Sequence, residues 1–182
     1  MEKYLYLGVL LFAISYPLAQ SFERRIRYAT QWKYLFPGML GTAAFFIVWD
    51  IWFTNLGVWE FNSRYVLGWF FLDLPIEEWL FFFIVPFSSV FIYEVLIYFF
   101  PKDHFLPFGK YFVWILAPFL LVMSILHLDK WYTSVNFFVG ALTLVIHYLI
   151  FKEKYLGRFI FAYLVHLIPL MICNGILTGG LT

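Results

Sequence analysis

The stretch Leu74-Pro75-Ile76-Glu77-Glu78-Trp79-Leu80-Phe81-Phe82-Phe83-Ile84-Val85-Pro86-Phe87-Ser88-Ser89-Val90-Phe91-Ile92-Tyr93-Glu94 opens on two adjacent carboxylates and carries no other charge until Glu94. An apolar run of this kind crosses a hydrocarbon core, which takes about 20 residues of helix. Carboxylates at its edge are expensive and need a reason to be there. Similar runs cover roughly residues 4–22, 35–53, 111–128, 133–151 and 159–177, with this one extending over 75–100. The chain therefore reads as all-α, a polytopic transmembrane helical bundle of about six helices. Residues 65–74 are apolar but too few to cross, and belong in the interface or a re-entrant segment.

Composition leads to the same class. Of 182 residues, 64% are apolar, 25% aromatic and 13% charged, where a soluble domain carries about 25% charged residues. Near-neutral charge without a basic run argues against nucleic acid as a partner. The first apolar run lacks a small-residue cleavage site and reads as a retained helix rather than a signal peptide. Cys173 is the lone cysteine, so it reads as a small buried hydrophobe. His104, His127, His147 and His166 form no pair at helical metal-ligand spacing, so no metal is expected and helix packing suits them better. No Gly-rich fingerprint follows a strand pattern, and no dinucleotide cofactor is expected.

Lys and Arg in the short loops set the orientation. With the first loop inside, Arg24, Arg25, Arg27, Lys33, Lys102, Lys110, Lys152, Lys154 and Arg158 lie on the inner side, and only Lys3, Arg64 and Lys130 on the outer. This places the N-terminus outside. It also brings Asp50, at the outer end of the second helix, to the same face as Glu77 and Glu78 at the outer start of the third.

A weak repeat divides the chain. Asp50-Ile51-Trp52-Phe53-Thr54 closes the second helix much as Asn174-Gly175-Ile176-Leu177-Thr178 closes the sixth. The reading is two parallel three-helix repeats, residues 1–100 and an incomplete 133–182, joined by a linker and spacer helix over 101–132. The second repeat stops at Gly179-Gly180-Leu181-Thr182, where its acidic helix should begin, so the chain is expected to end one helix early.

Each candidate residue also has a plain structural explanation. Pro in a first turn and acids near a helix N-terminus are ordinary, the acids gaining about 0.3 to 1 kcal/mol each from the macrodipole. Asp50 has no such explanation, because an acid near a helix C-terminus opposes the dipole. A carboxyl held there is paired or protonated, and apolar surroundings with neighbouring carboxylates favour the protonated acid that a general acid needs. Trp49, Trp52, Trp59, Trp69 and Trp79 fit an interfacial aromatic belt, yet Trp49 flanks Asp50 and Trp79 follows Glu78. An aromatic face beside an acid stabilises a developing cation by about 0.5 to 2 kcal/mol. Glu94 sits about 24 Å from Glu78 along an ideal helix, where loop bases would neutralise it. Pro17, Pro86, Pro118 and Pro169 kink their helices around an apolar cleft, while Gly38, Gly41, Thr42, Ala43 and Ala44 offer a small-residue packing surface.

The run Phe46-Ile47-Val48-Trp49-Asp50-Ile51-Trp52-Phe53-Thr54, then Gly57-Val58-Trp59 with Phe61-Asn62, then Leu74-Pro75-Ile76-Glu77-Glu78-Trp79 resembles the first repeat of the membrane-embedded lycopene cyclase domain family. This is the heterodimeric or fused type of bacteria, archaea and fungi. The resemblance implies a cofactor-independent, non-redox cyclisation of lycopene ends to β-ionone rings, in carotenoid biosynthesis at a bacterial inner membrane. It implies Glu77 and Glu78 as acid and base, in an order the motif does not assign, with Asp50 sharing a proton. It implies Trp49, Trp52, Trp59, Trp79 and Pro75 around the substrate. The family's second Pro-x-Glu-Glu or Pro-x-Glu-Asp motif is absent here, so a second subunit or a further C-terminal helix is expected to supply it. Two other readings use the same residues: a hydratase-type enzyme whose cation is captured by water, and a non-enzymatic carotenoid-binding or transport protein.

Overall fold

The computed structural model describes residues 2–177, so Thr178 and the Gly179-Gly180-Leu181-Thr182 end of the second repeat lie outside the described residues. Six α-helices form as the apolar runs predict: α1 (Leu5–Gln20), α2 (Trp32–Asn55), α3 (Ile76–Phe99), α4 (Leu106–Leu126), α5 (Trp131–Phe151) and α6 (Leu156–Leu177). Five of them, α2 to α6, are long and apolar enough to cross a membrane. The first segment forms the shortest of the six helices. α1 has 16 residues behind a 3-10 turn over Glu2–Tyr4, about 24 Å of helix against a core of about 30 Å. It ends where Ser21 folds back, its hydroxyl donating to the Pro17 carbonyl at 2.7 Å.

The chain divides into two compact units, one of residues 1–99 with 164–182 and one of residues 100–163. In the first, proline chemistry ties α1 to α3. Pro17 has no N–H for the carbonyl of Ala13 one turn earlier, and Ser88 on α3 supplies the missing donor at 3.1 Å. Tyr28, fully buried, donates its hydroxyl to the Phe87 carbonyl at 2.7 Å and packs edge-on against Phe87 and Phe91. A second cluster of Ala43, Ile47 and Leu74 takes Trp79 and Phe82 against it. Of the small residues of α2 only Ala43 is buried in this contact; Gly38, Gly41, Thr42 and Ala44 are exposed, so they do not form the packing surface expected of them.

Residues 65–74 do not form a helix. Phe70–Phe71 (β1) and Leu74–Pro75 (β2) pair antiparallel, in register Phe70 to Pro75 and Phe71 to Leu74. Leu72 and Asp73 at the tip have φ of 50° and 64°, as a two-residue turn of the I′ type requires. A leucine in that conformation costs about 1 to 3 kcal/mol and persists only where its surroundings fix it. Here the Trp79 indole N–H donates to the Phe71 carbonyl at 3.1 Å and the Ile76 N–H to the Trp69 carbonyl at 2.9 Å.

In the second unit α4 and α5 are clasped by two serines. Ser124 Oγ donates to the Ser134 carbonyl at 2.8 Å and Ser134 Oγ to the Ser124 carbonyl at 2.9 Å, all of it buried. Gly157 lies so close to the Asp103 side chain and the Leu106 nitrogen that a Cβ there would collide with both. Large apolar side chains such as Val48 and Ile115 face outward, as suits a protein solvated by lipid tails.

Candidate active site

The C-terminal residues of α2 and the first turn of α3 bring Asp50 and Glu78 together, and α1 adds a residue that the sequence did not single out. Tyr6 donates its phenolic O–H to Glu78 Oε2 at 2.5 Å. The carboxyls of Asp50 and Glu78 lie within hydrogen-bonding reach of each other. Asp50 is 8% exposed, and its Oδ2 is buried with no N–H or O–H donor. Ionised carboxylates are acceptors only. Two carboxyls can therefore bond to each other only through a proton.

Glu77 serves different surroundings, because successive helical residues project about 100° apart. It is fully buried; Oε1 accepts the backbone N–H of Leu67 at 2.7 Å, and Oε2 has no donor. Its visible work is to hold the loop that precedes α3. At the far end of that helix Glu94 is half-buried, and the loop bases do not neutralise it: among the described residues the ion pairs are Arg25 with Glu23 and Arg64 with Glu2.

The predicted aromatic residues split in the same way. Trp49 and Trp59 lie near-parallel to the buried Phe53, with centroids 5.0 and 5.3 Å away. Trp59 donates its indole N–H to Thr54 Oγ1 at 3.1 Å, fastening the loop to the end of α2. Trp52, about half exposed, packs edge-on against Phe53. Pro75 is fully buried in β2. Trp59 and Trp79 thus hold structure with their polar edges, and Trp49 and Trp52 share a turn of α2 with Asp50.

An apolar cleft of about 440 Å³ opens among α1, α3 and the C-terminal part of α6, lined by residues such as Val9, Ala13, Phe81, Val85, Ile92 and Leu170. None of the predicted tryptophans lines it. Its register is informative: Phe81, Val85, Ser88 and Ile92 fall three, seven, ten and fourteen residues beyond Glu78, on one helix face. Val9 and Ala13 follow Tyr6 with the same spacing. The cleft therefore begins about one turn past the Tyr6–Glu78 bond and runs along the faces that carry both residues. Cys173 and His166 are also on its wall. Ser89 gives its hydroxyl proton to the Val85 carbonyl at 2.6 Å, so the 3.2 Å contact between Ser89 Oγ and His166 Nε2 has histidine as donor. His166 Nδ1 is left as a buried acceptor with no protein partner.

Tyr6 escaped sequence reading because tyrosines near a membrane interface are common, and nothing in the pattern separates it from Tyr4 or Tyr16. Its partner Glu78 is far away in sequence and is identified only by the packing of α1 on α3.

A helical protein with spans suited to a membrane, and with a buried Asp50 and a partly buried Glu78 beside an apolar cleft, is the class these features define. Comparison with known families supplies the particular one: a family model described as lycopene cyclase matches residues 3–96 and 129–182, most of the chain, and the protein belongs to that family. The two matched stretches flank α4. No curated protein and no solved structure matches the chain.

Proposed function

We propose that this chain acts in carotenoid biosynthesis by proton-initiated cyclisation of the acyclic ends of lycopene to β-ionone rings, with Glu78 and Asp50 as the proton-handling pair. The carboxyl pair gives its proton to the terminal carbon–carbon double bond, leaving a tertiary cation. The next double bond attacks that cation and forms the ring bond. The carboxylate left behind takes a proton from the new ring, which restores the pair and places a double bond in the ring. The sequence is an isomerisation, with no electrons gained or lost, so it calls for no redox cofactor. Carboxyls in apolar surroundings suit both proton steps, and Trp49 and Trp52, beside Asp50 on α2, can offer π-faces to the cation between them.

The observation that carries this reading is the Tyr6–Glu78–Asp50 constellation. Glu77 supports it by fixing the loop, a narrower role than the motif alone implies. The Lys and Arg asymmetry supports an outer location for the N-terminus, the hairpin and the acids. Labelling from outside of a cysteine at position 57, in a Cys173→Ser background, tests that orientation.

The reaction is tested in membranes of a lycopene-accumulating host suspended in D2O. The expected pigment carries deuterium in each new ring, and Glu78→Gln forms no ring, since loss of general acid catalysis costs about 100- to 10,000-fold. Ring formation by Glu78→Gln at the wild-type rate, or rings without deuterium, contradicts the proposal.

A further inference from the structure

We infer that the cleft among α1, α3 and α6 seats the polyene chain itself, entered so that the acyclic end meets Glu78 and Tyr6 and the rest of the molecule lies along α3. The inference rests on the cyclase reading for the identity of the occupant. Three observations carry it. The lining is almost wholly apolar, as a hydrocarbon rod requires, and the cleft is large, about 440 Å³. Its walls follow α3 from Phe81 to Leu96, about 22 Å at the rise of a helix, so it is elongated in the way an extended polyene is. It also shares its helix faces with the carboxyl pair, so a chain lying in it presents its end, and no other part, to the proton.

The tryptophans around Asp50 would then surround only the reacting end. A lipid acyl chain is the competing occupant, because it matches the apolar walls but has no use for the carboxyls at their end. The wall carries a few polar groups, among them His166, whose Nδ1 has no protein partner. Ser89 and His166 otherwise satisfy each other and bind α6 to α3.

The experiment uses the full chain carrying Glu78→Gln, which holds substrate without turning it over, in nanodiscs of saturated phosphatidylcholine. Lycopene dissolved in lipid is achiral, whereas lycopene held in the cleft acquires circular dichroism in its visible band. We expect a saturable induced signal that Val48→Trp, on a lipid-facing surface of α2, leaves in place. Val85→Trp, in the middle of the cleft, should weaken binding by about tenfold or more, because its bulk overpacks the space. Should Val85→Trp lose its helical far-ultraviolet spectrum, Val85→Phe and Ile92→Phe give the same comparison with smaller intrusions.

No saturable signal from the Glu78→Gln protein, the result expected if acyl chains fill the cleft, overturns the inference. So does equal binding by the folded cleft variants. The two proposals fail separately: cyclisation by Glu78→Gln would sink the proton chemistry without touching the binding data, and unaltered binding by Val85→Trp would sink the cleft assignment without touching Glu78.

Discussion

Two regions of this protein bury polar groups between helices, and they do so in opposite ways. Between α4 and α5, Ser124 and Ser134 exchange hydroxyl protons for carbonyl lone pairs, and every donor finds an acceptor. Between α2 and α3 the count does not balance. Asp50 Oδ2 and Glu77 Oε2 are buried acceptors without donors, and Asp50 faces another carboxyl. A self-satisfied pair is a structural clasp, because nothing is left over for a ligand or a proton. Where the Asp50 and Glu78 carboxyls face each other, only a proton lets one acceptor bond to the other, and a shared proton of that kind is what general acid chemistry uses. The difference explains why the first unit holds the candidate site although both units are helical.

If this contrast is sound, breaking it at each region should have unlike consequences. Short of losing Glu78 itself, the largest effect is expected from Asp50→Asn, which replaces the proton-sharing partner with an amide. Cyclisation in a lycopene-accumulating host should fall by about 100-fold, with unchanged membrane extraction and helical content. Tyr6→Phe should cost at least about tenfold, since it removes a hydrogen bond to a carboxyl group worth roughly 1.5 to 3 kcal/mol. Time courses of pigment conversion would check both.

Ser134→Ala belongs to the other region and should leave the cyclisation rate alone. It should lower stability by about 0.6 kcal/mol for each interhelical bond lost, read from unfolding in mixed detergent micelles. The smallest effect is expected at the exposed Glu2–Arg64 pair. Its hydrogen bond to Arg64 holds the Glu2 carboxyl below the usual carboxylate range. A lowered folded-state value means the contribution is present above the ordinary carboxylate pKa and fades as pH falls below it. The stability difference between wild type and Glu2→Gln should therefore be slight at neutral pH, because exposed pairs are screened, and should vanish in acid.

The helices were legible because each is a long apolar run, and lipid leaves the chain few alternatives to a helix there. Asp50 was legible because its position defies the helix dipole. Other features depend on contacts between distant residues, which no pattern in one segment encodes. Tyr6 reaches Glu78 only through the packing of α1 on α3. The C-terminal part of α6 groups with α1–α3 while its start groups with α4 and α5, so sequence order does not show what walls the cleft. The hairpin at residues 70–75 was hidden because Leu72, a residue that avoids positive φ, occupies its tip. Glu77 and Glu78 looked interchangeable as neighbours in a motif, yet one helical step turns them toward a loop N–H and toward a tyrosine and a second carboxyl.

That divergence is the centre of the account, and a side-by-side measurement of Glu77→Gln and Glu78→Gln tests it most directly. Glutamine at position 77 still offers a carbonyl oxygen to the Leu67 N–H, so this variant should cyclise lycopene within about tenfold of wild type, the cost of about one weakened hydrogen bond. Glutamine at position 78 cannot give up the required proton, and cyclised pigment should be undetectable by chromatography at matched protein levels. The reverse pattern, an inactive Glu77→Gln beside a functional Glu78→Gln, would contradict the assignment and move the chemistry to the other carboxyl.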